Sequence, residues 1–172
     1  MNENQIECHG LDTPERVCFY EQDFYVLSNF SAFRLWWPAN HTGWSFDTSE
    51  HAYQWSRFSG NKEAGAADAR RAIVQSQSAH EAFKIAQTNK RFQRSDWDAI
   101  KVDVMRDILR AKANQHEYVM RKLLSTGNRE LVENSWRDDF WGWGPNRDGQ
   151  NMLGKLWMQL RKEFRQQAKR QQ

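Results

Sequence analysis

The stretch from Ser95 to Lys112 reads SDWDAIKVDVMRDILRAK and determines the fold class. Its apolar residues recur every three or four positions, the spacing that places side chains on one face of an α-helix. They are Trp97, Ile100, Val104, Ile108 and Ala111. Ser95 stands just before the first of them and is a typical N-cap, so the helix is predicted to begin there. Such an amphipathic helix buries its apolar stripe against other elements.

Further helices are predicted on both sides of this one. Asp47 or Thr48 can cap the first, and Ser78 with Glu81 forms a capping box for another. Gly127 marks the end of a third, since glycine commonly terminates helices. The expected ranges are about 47–59, 62–74, 78 onward, 117–125 and 151 onward. Helices are therefore the larger part of the fold.

Strands are predicted near both ends of the chain. Residues 16–37, 44–46, 131–136 and 140–144 are rich in β-branched and aromatic side chains. Helices clustered between strands favour an α+β fold over an alternating α/β one. We expect a single compact, helix-rich domain with a small sheet over residues 16–165. Residues 1–15 are predicted to be a mobile arm, and 166–172 a basic polar tail.

Composition excludes several classes of protein. A chain of 172 residues is long enough for one domain with a sizeable core, and no apolar run reaches the ~18 residues of a membrane helix. The start of the chain is polar and does not resemble a secretory signal. With only Cys8 and Cys18, neither a disulfide framework nor a cysteine-rich metal site is expected, which favours the cytoplasm.

No metal and no cofactor is expected. The chain has no phosphate-binding glycine loop, no dinucleotide-binding glycine pattern and no zinc-protease helix, and its histidines share no ligand spacing. Its net charge is +3, and the positive charge is concentrated in residues 161–172, which contain five basic residues and one acidic residue. This basic tail is weak support for nucleic-acid binding, because solvated helix ends often have a similar composition.

Glu50 is the candidate catalytic carboxylate, within DTSEHAYQ at residues 47–54. The structural alternative is a capping box in which Glu50 bonds back to the helix start. In the functional alternative, the positive end of the helix keeps the carboxylate ionised and oriented. A carboxylate so placed can stabilise an oxocarbenium ion or activate water, as in glycoside cleavage.

Other segments supply candidate binding groups. Asn29 and Phe30 could recognise and stack on a base, although Phe30 could equally be a core residue. Asp138 could be a second catalytic carboxylate or lie in a solvated turn. Trp141 with Gly142 suits a flat ligand, since glycine permits close approach. Asn151 could be an N-cap, or mark a helix start that holds phosphate.

Several segments, in order, resemble the YbiA-like or NADAR family (NAD- and ADP-ribose-associated). They are Phe19-Tyr20, Leu27–Phe30, Thr48–Gln54 with Phe58, Trp97–Lys112, Leu131–Glu133, Phe140–Gly142 and Asn151–Gly154. The resemblance covers about residues 17–165. It implies a compact α+β fold and an N-glycosidase that hydrolyses phosphoribosylamino-pyrimidine intermediates of riboflavin synthesis or removes ADP-ribose from guanine in nucleic acid.

The resemblance also implies residue roles. Glu50 matches the family's helix-opening glutamate, and Asp138 is the second catalytic candidate. Implied substrate-binding residues are Phe19, Asn29, Phe30, His51, Tyr53, Gln54, Arg57, Trp97, Trp141, Gly142 and Asn151. Expected partners are a small nucleotide-like substrate and ADP-ribosylated DNA, with no membrane, and the oligomeric state stays open.

Two departures from the family pattern bear on substrate identity. Arg57 replaces a lysine, exchanging a point charge for a planar fork of donors. The bulky Trp143-Gly144-Pro145 stands where a small acidic, glycine-rich loop is expected. A non-catalytic sensor that binds ADP-ribose or a nucleotide is the alternative function.

Overall fold

The structure, a computed structural model, describes residues 10–38 and 43–170. The strands are β1 (Arg16–Cys18), β2 (Leu35–Trp37), β3 (Trp44–Phe46) and β4 (Glu130–Val132). The helices are α1 (Ser49–Ser56), α2 (Ala64–Gln75), α3 (Ala79–Thr88), α4 (Trp97–Gln115), α5 (Glu117–Ser125) and α6 (Met152–Arg170). Short 3-10 helices occupy Gln22–Leu27 and Lys90–Phe92. The predicted helix-rich α+β class is confirmed.

The strands form two separate pairs within the described residues. β1 and β4 are parallel, with Val17 opposite Leu131. β2 and β3 are antiparallel, with Trp36 opposite Ser45. The chain also divides into two compact units: the first falls within Met1–Ser28 and Tyr118–Gln172, and the second within Asn29–Glu117.

In the first unit, α6 packs against β4. A Cβ atom at Gly154 would lie 2.0 Å from the carbonyl oxygen of Leu131, so only glycine permits this approach. Trp157 is fully buried, and its Nε1 donates to the carbonyl of Leu27 at 2.8 Å. The helix and the strand pair thus share one core.

The second unit is built mainly from α1 to α4. Phe58, just after α1, packs against Ile73 of α2 and against alanines of α2 and α3. These small side chains allow the helices to approach closely. The side chain of Gln115, the last residue of α4, bonds to Trp36 of β2. It donates to the Trp36 carbonyl at 3.0 Å and accepts from the Trp36 N–H at 2.8 Å. A side-chain amide therefore takes both backbone hydrogen bonds of Trp36 at the strand edge.

Several predicted boundaries are wrong. α4 has Asp96 as its N-cap instead of Ser95, one residue later than predicted. Residues 16–37 are predicted to be strands with a turn around 21–23, but a 3-10 helix, Gln22–Leu27, extends beyond that turn. Residues 140–144 form no strand. α1 ends at Ser56, short of Ser59. These differences arise where contacts distant in sequence determine the backbone path.

The chain ends differ from the predicted arm and tail. Residues 1–9 of the predicted arm lie outside the described residues, whereas Asp12 is buried and accepts from the Cys18 N–H at 2.6 Å. Residues 166–170 of the predicted tail belong to α6, and 171–172 lie outside the description. Within the described residues, no helix is long and apolar enough to cross a membrane.

Candidate active site

Thr48 begins α1 and changes the interpretation of Glu50. The Thr48 hydroxyl accepts from the His51 N–H, which makes Thr48 the N-cap. Glu50 is then the second helical residue, and the third, from which a capping box would form, is His51. The capping-box alternative is therefore wrong. Glu50 is instead a buried carboxylate in the first turn, 6% exposed, near the positive end of the helix dipole.

The Glu50 carboxylate is oriented by its own helix. Gln54, one turn later, donates from Nε2 to Glu50 Oε1 at 2.7 Å. The Glu50 N–H donates to the carbonyl of Asn29 at 3.1 Å, which joins the segment before β2 to the helix start. The predicted residues Asn29, Glu50 and Gln54 therefore meet in the second unit.

Beside this carboxylate, three buried oxygens have no hydrogen-bond partner in the described structure. They are Asn29 Oδ1, Ser49 Oγ and Gln54 Oε1. Asn29 uses its Nδ2 only to contact the sulfur of Met105, at 3.3 Å. Buried polar atoms are normally paired, so three unpaired oxygens on residues that adjoin Glu50 or bond to it are unusual. Acceptors of this kind suit hydroxyl, amino or water donors.

An aromatic pair and a cation complete this part of the unit. Tyr53 and Trp97 have ring centroids 4.9 Å apart at 51°, and both rings are buried. Arg57, also buried, donates from Nε to Gln93 Oε1 at 2.8 Å. Burial lowers the pKa of the Arg57 guanidinium, and electrostatic interactions with Tyr53, Asp98 and Glu50 act in the opposite direction. The predicted Tyr53, Arg57 and Trp97 thus lie together.

His51 and Phe30 take different positions. His51 is buried with Nδ1 2.8 Å from the Thr48 hydroxyl. Burial lowers its pKa, while the backbone of Ser76 and the charges of Asp47 and Glu81 raise it less. The neutral ring therefore supports the helix start. Phe30 is 40% exposed, so the core alternative is wrong and its ring is accessible for stacking.

The remaining candidates belong to the first unit, where most polar groups are already engaged. Asp138 Oδ1 accepts from the N–H groups of Phe140 and Trp141, at 2.9 and 2.7 Å, as in an Asx turn. A Cβ at Gly142 would lie 2.8 Å from the carbonyl of Glu133. The glycine therefore allows close approach of the chain's own backbone.

The start of α6 is closed by the same loop. The N–H groups of Asn151, Met152 and Leu153 donate to the carbonyls of Gly142, Phe140 and Trp141, at 2.9 to 3.0 Å. These three N–H groups are therefore occupied within the protein, and phosphate binding at this helix start stays a prediction.

Asn151 is also engaged through its side chain. Its Oδ1 accepts from the N–H of Glu133, and its Nδ2 donates to the carbonyl of Leu131, both at 2.9 Å. The amide joins α6 to β4 and does not cap the helix. Phe19 is fully buried, a core position. Substrate contacts by Phe19, Trp141, Gly142 and Asn151, and catalysis by Asp138, stay predictions.

Some notable residues were missed in the sequence. Lys112 is fully buried, with Nζ 2.7 Å from the Ser31 hydroxyl and over the ring of Phe33. The burial of Lys112 was predictable from its position four residues after Ile108, on the apolar face of α4. Ser49 stands beside Glu50 and could have been included, whereas nothing in the sequence indicated Gln93. No group of three metal-ligating side chains is found in residues 10–38 and 43–170.

Comparison with known proteins shows the family. Residues 18–165 match the NADAR domain. The chain belongs to the NADAR family. This confirms the predicted resemblance, which extended over nearly the same residues.

Two relatives match along most of their length. An N-glycosidase of Nostoc punctiforme is 36% identical over 151 residues, covering 87% of this chain and 92% of the relative. N-glycosidase YbiA of Escherichia coli is 35% identical over 150 residues, covering 86% and 88%. The NMR structure of the E. coli protein YbiA superposes with a TM-score of 0.76 at 30% identity, covering 92% of this chain and 89% of that one. The predicted YbiA-like fold and the N-glycosidase class of enzyme are confirmed.

A third relative is a larger protein. A riboflavin biosynthesis protein of Vibrio vulnificus is 34% identical over 156 residues, which make up 88% of this chain. The chain spans about two fifths of that relative, 39% of its length.

Proposed function

We propose that the protein hydrolyses the N-glycosidic bond between a base and a phosphoribosyl or ADP-ribosyl group, with Glu50 as the catalytic carboxylate. The observation that carries this proposal is the setting of Glu50: a buried first-turn carboxylate oriented by Gln54, with an unpaired buried oxygen on each of Gln54, Ser49 and Asn29. The N-glycosidase names of the relatives support the reaction class.

The proposed chemistry needs only side chains and water. As the C1–N bond breaks, the base leaves with the electron pair and the sugar develops positive charge at C1, which the Glu50 carboxylate stabilises. The oxygen of a water molecule then bonds to C1. Glu50 accepts the proton that this water loses, and the departing nitrogen is protonated from solvent.

Neighbouring groups supply recognition. The free acceptors of Asn29, Ser49 and Gln54 can accept from the attacking water and from sugar hydroxyls. The guanidinium of Arg57, held by Gln93, can pair with a phosphate. The exposed ring of Phe30 can stack on the base. These features suit a phosphorylated nucleoside better than a neutral sugar.

Two substrates fit this chemistry: a phosphoribosylamino-pyrimidine and ADP-ribosyl-guanine in nucleic acid. The riboflavin biosynthesis in the name of the Vibrio relative supports the first. Purified protein should be incubated separately with each, and released base and sugar followed by chromatography. Turnover of one substrate and not the other would identify it. If ADP-ribose binds and neither substrate releases base, the sensor alternative replaces this proposal.

Glu50→Gln is the matched variant for the catalytic step. Glutamine keeps the shape and can still accept from Gln54, but it cannot stabilise positive charge or take a proton. We expect turnover to fall roughly 10²- to 10⁴-fold, the usual contribution of such a group. Asp47→Asn is the control, because Asp47 is an exposed carboxylate on the same helix approach, paired with Arg34. Full turnover by a folded Glu50→Gln variant would exclude the proposed role.

A further inference from the structure

A basic groove lies in the first unit, along the second half of α6 and the turn that joins α5 to β4. It encloses about 440 Å³. Four cations and two amides contribute to its lining: Arg161, Lys162, Arg165, Lys169, Asn128 and Gln166. No acidic residue of the described chain lines it. The groove therefore concentrates positive charge from the C-terminal segment singled out in the sequence.

Two of its arginines are fixed by neutral acceptors. Arg161, 6% exposed, donates to the Thr126 hydroxyl at 2.6 Å and to the carbonyl of Arg129 at 2.9 Å. Arg165 donates to Asn128 Oδ1 at 2.9 Å and to the carbonyl of Gly127 at 2.7 Å. These bonds fix the guanidinium groups but leave their charge uncompensated.

The cations also repel one another. The pKa of Arg161 is lowered, first by burial and then by the charges of Arg165 and Arg129. In the described parts of the chain, none of the four groove cations forms an ion pair, although exposed arginines elsewhere, such as Arg34, do. Repulsion of this kind is relieved when an anion binds.

We propose that this groove binds the phosphate backbone of a nucleic acid. From Arg161 to Lys169 the helix advances about 12 Å, at ~1.5 Å per residue. That length matches roughly three to four phosphates of one strand, spaced ~3.4 Å along a duplex axis. The fixed guanidinium groups suit phosphate oxygens, and Asn128 keeps its NH₂ group as a further donor.

A membrane surface fits the groove less well. Exposed large hydrophobic side chains occur elsewhere in the first unit, as at Tyr25 and Trp136, but none of them lines the groove. Interfacial membrane binding usually combines basic residues with such apolar anchors. The groove therefore combines basic side chains with a single apolar one, Met158, which is not an exposed aromatic anchor.

The test measures binding alone and does not depend on the proposed N-glycosidase activity. Fluorescence anisotropy of a short labelled, unmodified DNA oligonucleotide, single-stranded and duplex, is followed over about 50 to 400 mM salt. The variant is Lys162→Gln with Lys169→Gln, both exposed side chains whose loss leaves the core intact. Lys155→Gln is the matched control, an exposed lysine on the same helix outside the groove.

We expect the double variant to lose about 0.7 to 0.9 from the slope of log affinity against log salt for each lysine. Affinity near 0.1 M salt should fall roughly ten-fold or more. Lys155→Gln should stay close to the unmodified protein in both quantities.

Three results would overturn the inference. One is an unchanged salt slope in the double variant, and another is an equal loss in Lys155→Gln. The third is no oligonucleotide binding together with lysine-dependent binding to vesicles of acidic phospholipid, which would make the groove a membrane-contact site. Turnover of a small nucleoside substrate reports on Glu50 separately, so failure of either proposal is recognised by itself.

Discussion

The starts of α1 and α6 differ in how their polar groups are used. At α6, the loop carbonyls take the first N–H groups, and the Asn151 amide is fully engaged with β4. At α1, the Glu50 carboxylate is buried, and the buried oxygens Asn29 Oδ1, Ser49 Oγ and Gln54 Oε1 have no hydrogen-bond partner in the described structure. Satisfied polar groups mark the structural end, and unsatisfied ones mark the candidate chemical end.

The largest loss of stability should come from a substitution at Gly154, where α6 lies closest to β4. Gly154→Ala places a Cβ against the Leu131 carbonyl, which is backbone and cannot swing away. We expect a loss of roughly 3 kcal/mol or more in the free energy of unfolding, measured with urea.

Gly65→Ala is the control for Gly154→Ala. There the added methyl meets the ring of Phe92, a side chain that can move, and alanine favours the helix. Equal costs for the two variants would show that the approach of α6 to β4 is not the constraint.

Removing the Asn151 amide should have the next largest effect on stability. Asn151→Ala deletes two buried hydrogen bonds to β4, and we expect about 2 kcal/mol of destabilisation. Because Asn151 has a φ of 48°, Asn151→Gly separates backbone strain from bond loss. Specific activity corrected for folded fraction should not change. A further fall in corrected activity would instead support its predicted role in substrate binding.

At the α1 end, Gln54→Met should affect activity more than stability. The variant keeps side-chain length, removes an unpaired buried oxygen and deletes the donor that orients Glu50. We expect roughly ten-fold lower kcat, about 1.4 kcal/mol in the barrier, with Tm little changed.

The pH profile distinguishes positioning of Glu50 from general damage. A hydrogen bond to a carboxylate favours its ionised form, so loss of the Gln54 donor should move the acid limb of kcat/KM to higher pH. An unmoved limb with reduced kcat would assign Gln54 a purely structural role.

The smallest effect concerns His51. Its folded-state pKa is lowered by burial, so below the unfolded value of about 6.5 the unfolded chain binds more protons. The free energy of unfolding should therefore fall as pH decreases from about 6.5. His51→Asn can keep the bond to Thr48 and should flatten this dependence, measured by urea unfolding at several pH values. Identical pH slopes would show that His51 does not carry the effect.

Helix boundaries were predicted correctly where a local capping or terminating residue determines the backbone conformation. α5 spans Glu117–Ser125 as expected, because Gly127, with φ 61°, ends it. Ser78 caps α3 through its own hydroxyl. The Phe140–Gly144 segment failed, since its carbonyls turn toward the start of α6, a contact no local pattern reveals.

The candidate site was predictable to a similar depth. Glu50 and Gln54 are one helical turn apart, so their contact follows from spacing alone. That Asn29 Oδ1 is buried without a partner, and that Gln93 holds Arg57, depends on packing between segments far apart in sequence. A turn at Asp138 was one of the two predicted alternatives, whereas its hydrogen bonds to the N–H groups of Phe140 and Trp141 were not predicted.

The hydrogen bonds between the Gln115 amide, at the end of α4, and Trp36 of β2 have a consequence for the behaviour of the protein at high concentration. An open strand edge is a template on which another chain can add a strand and begin aggregation. At Trp36 both backbone groups are already held by one glutamine. Trp36 therefore offers no free backbone group for pairing with another strand, even though its ring is exposed on the surface.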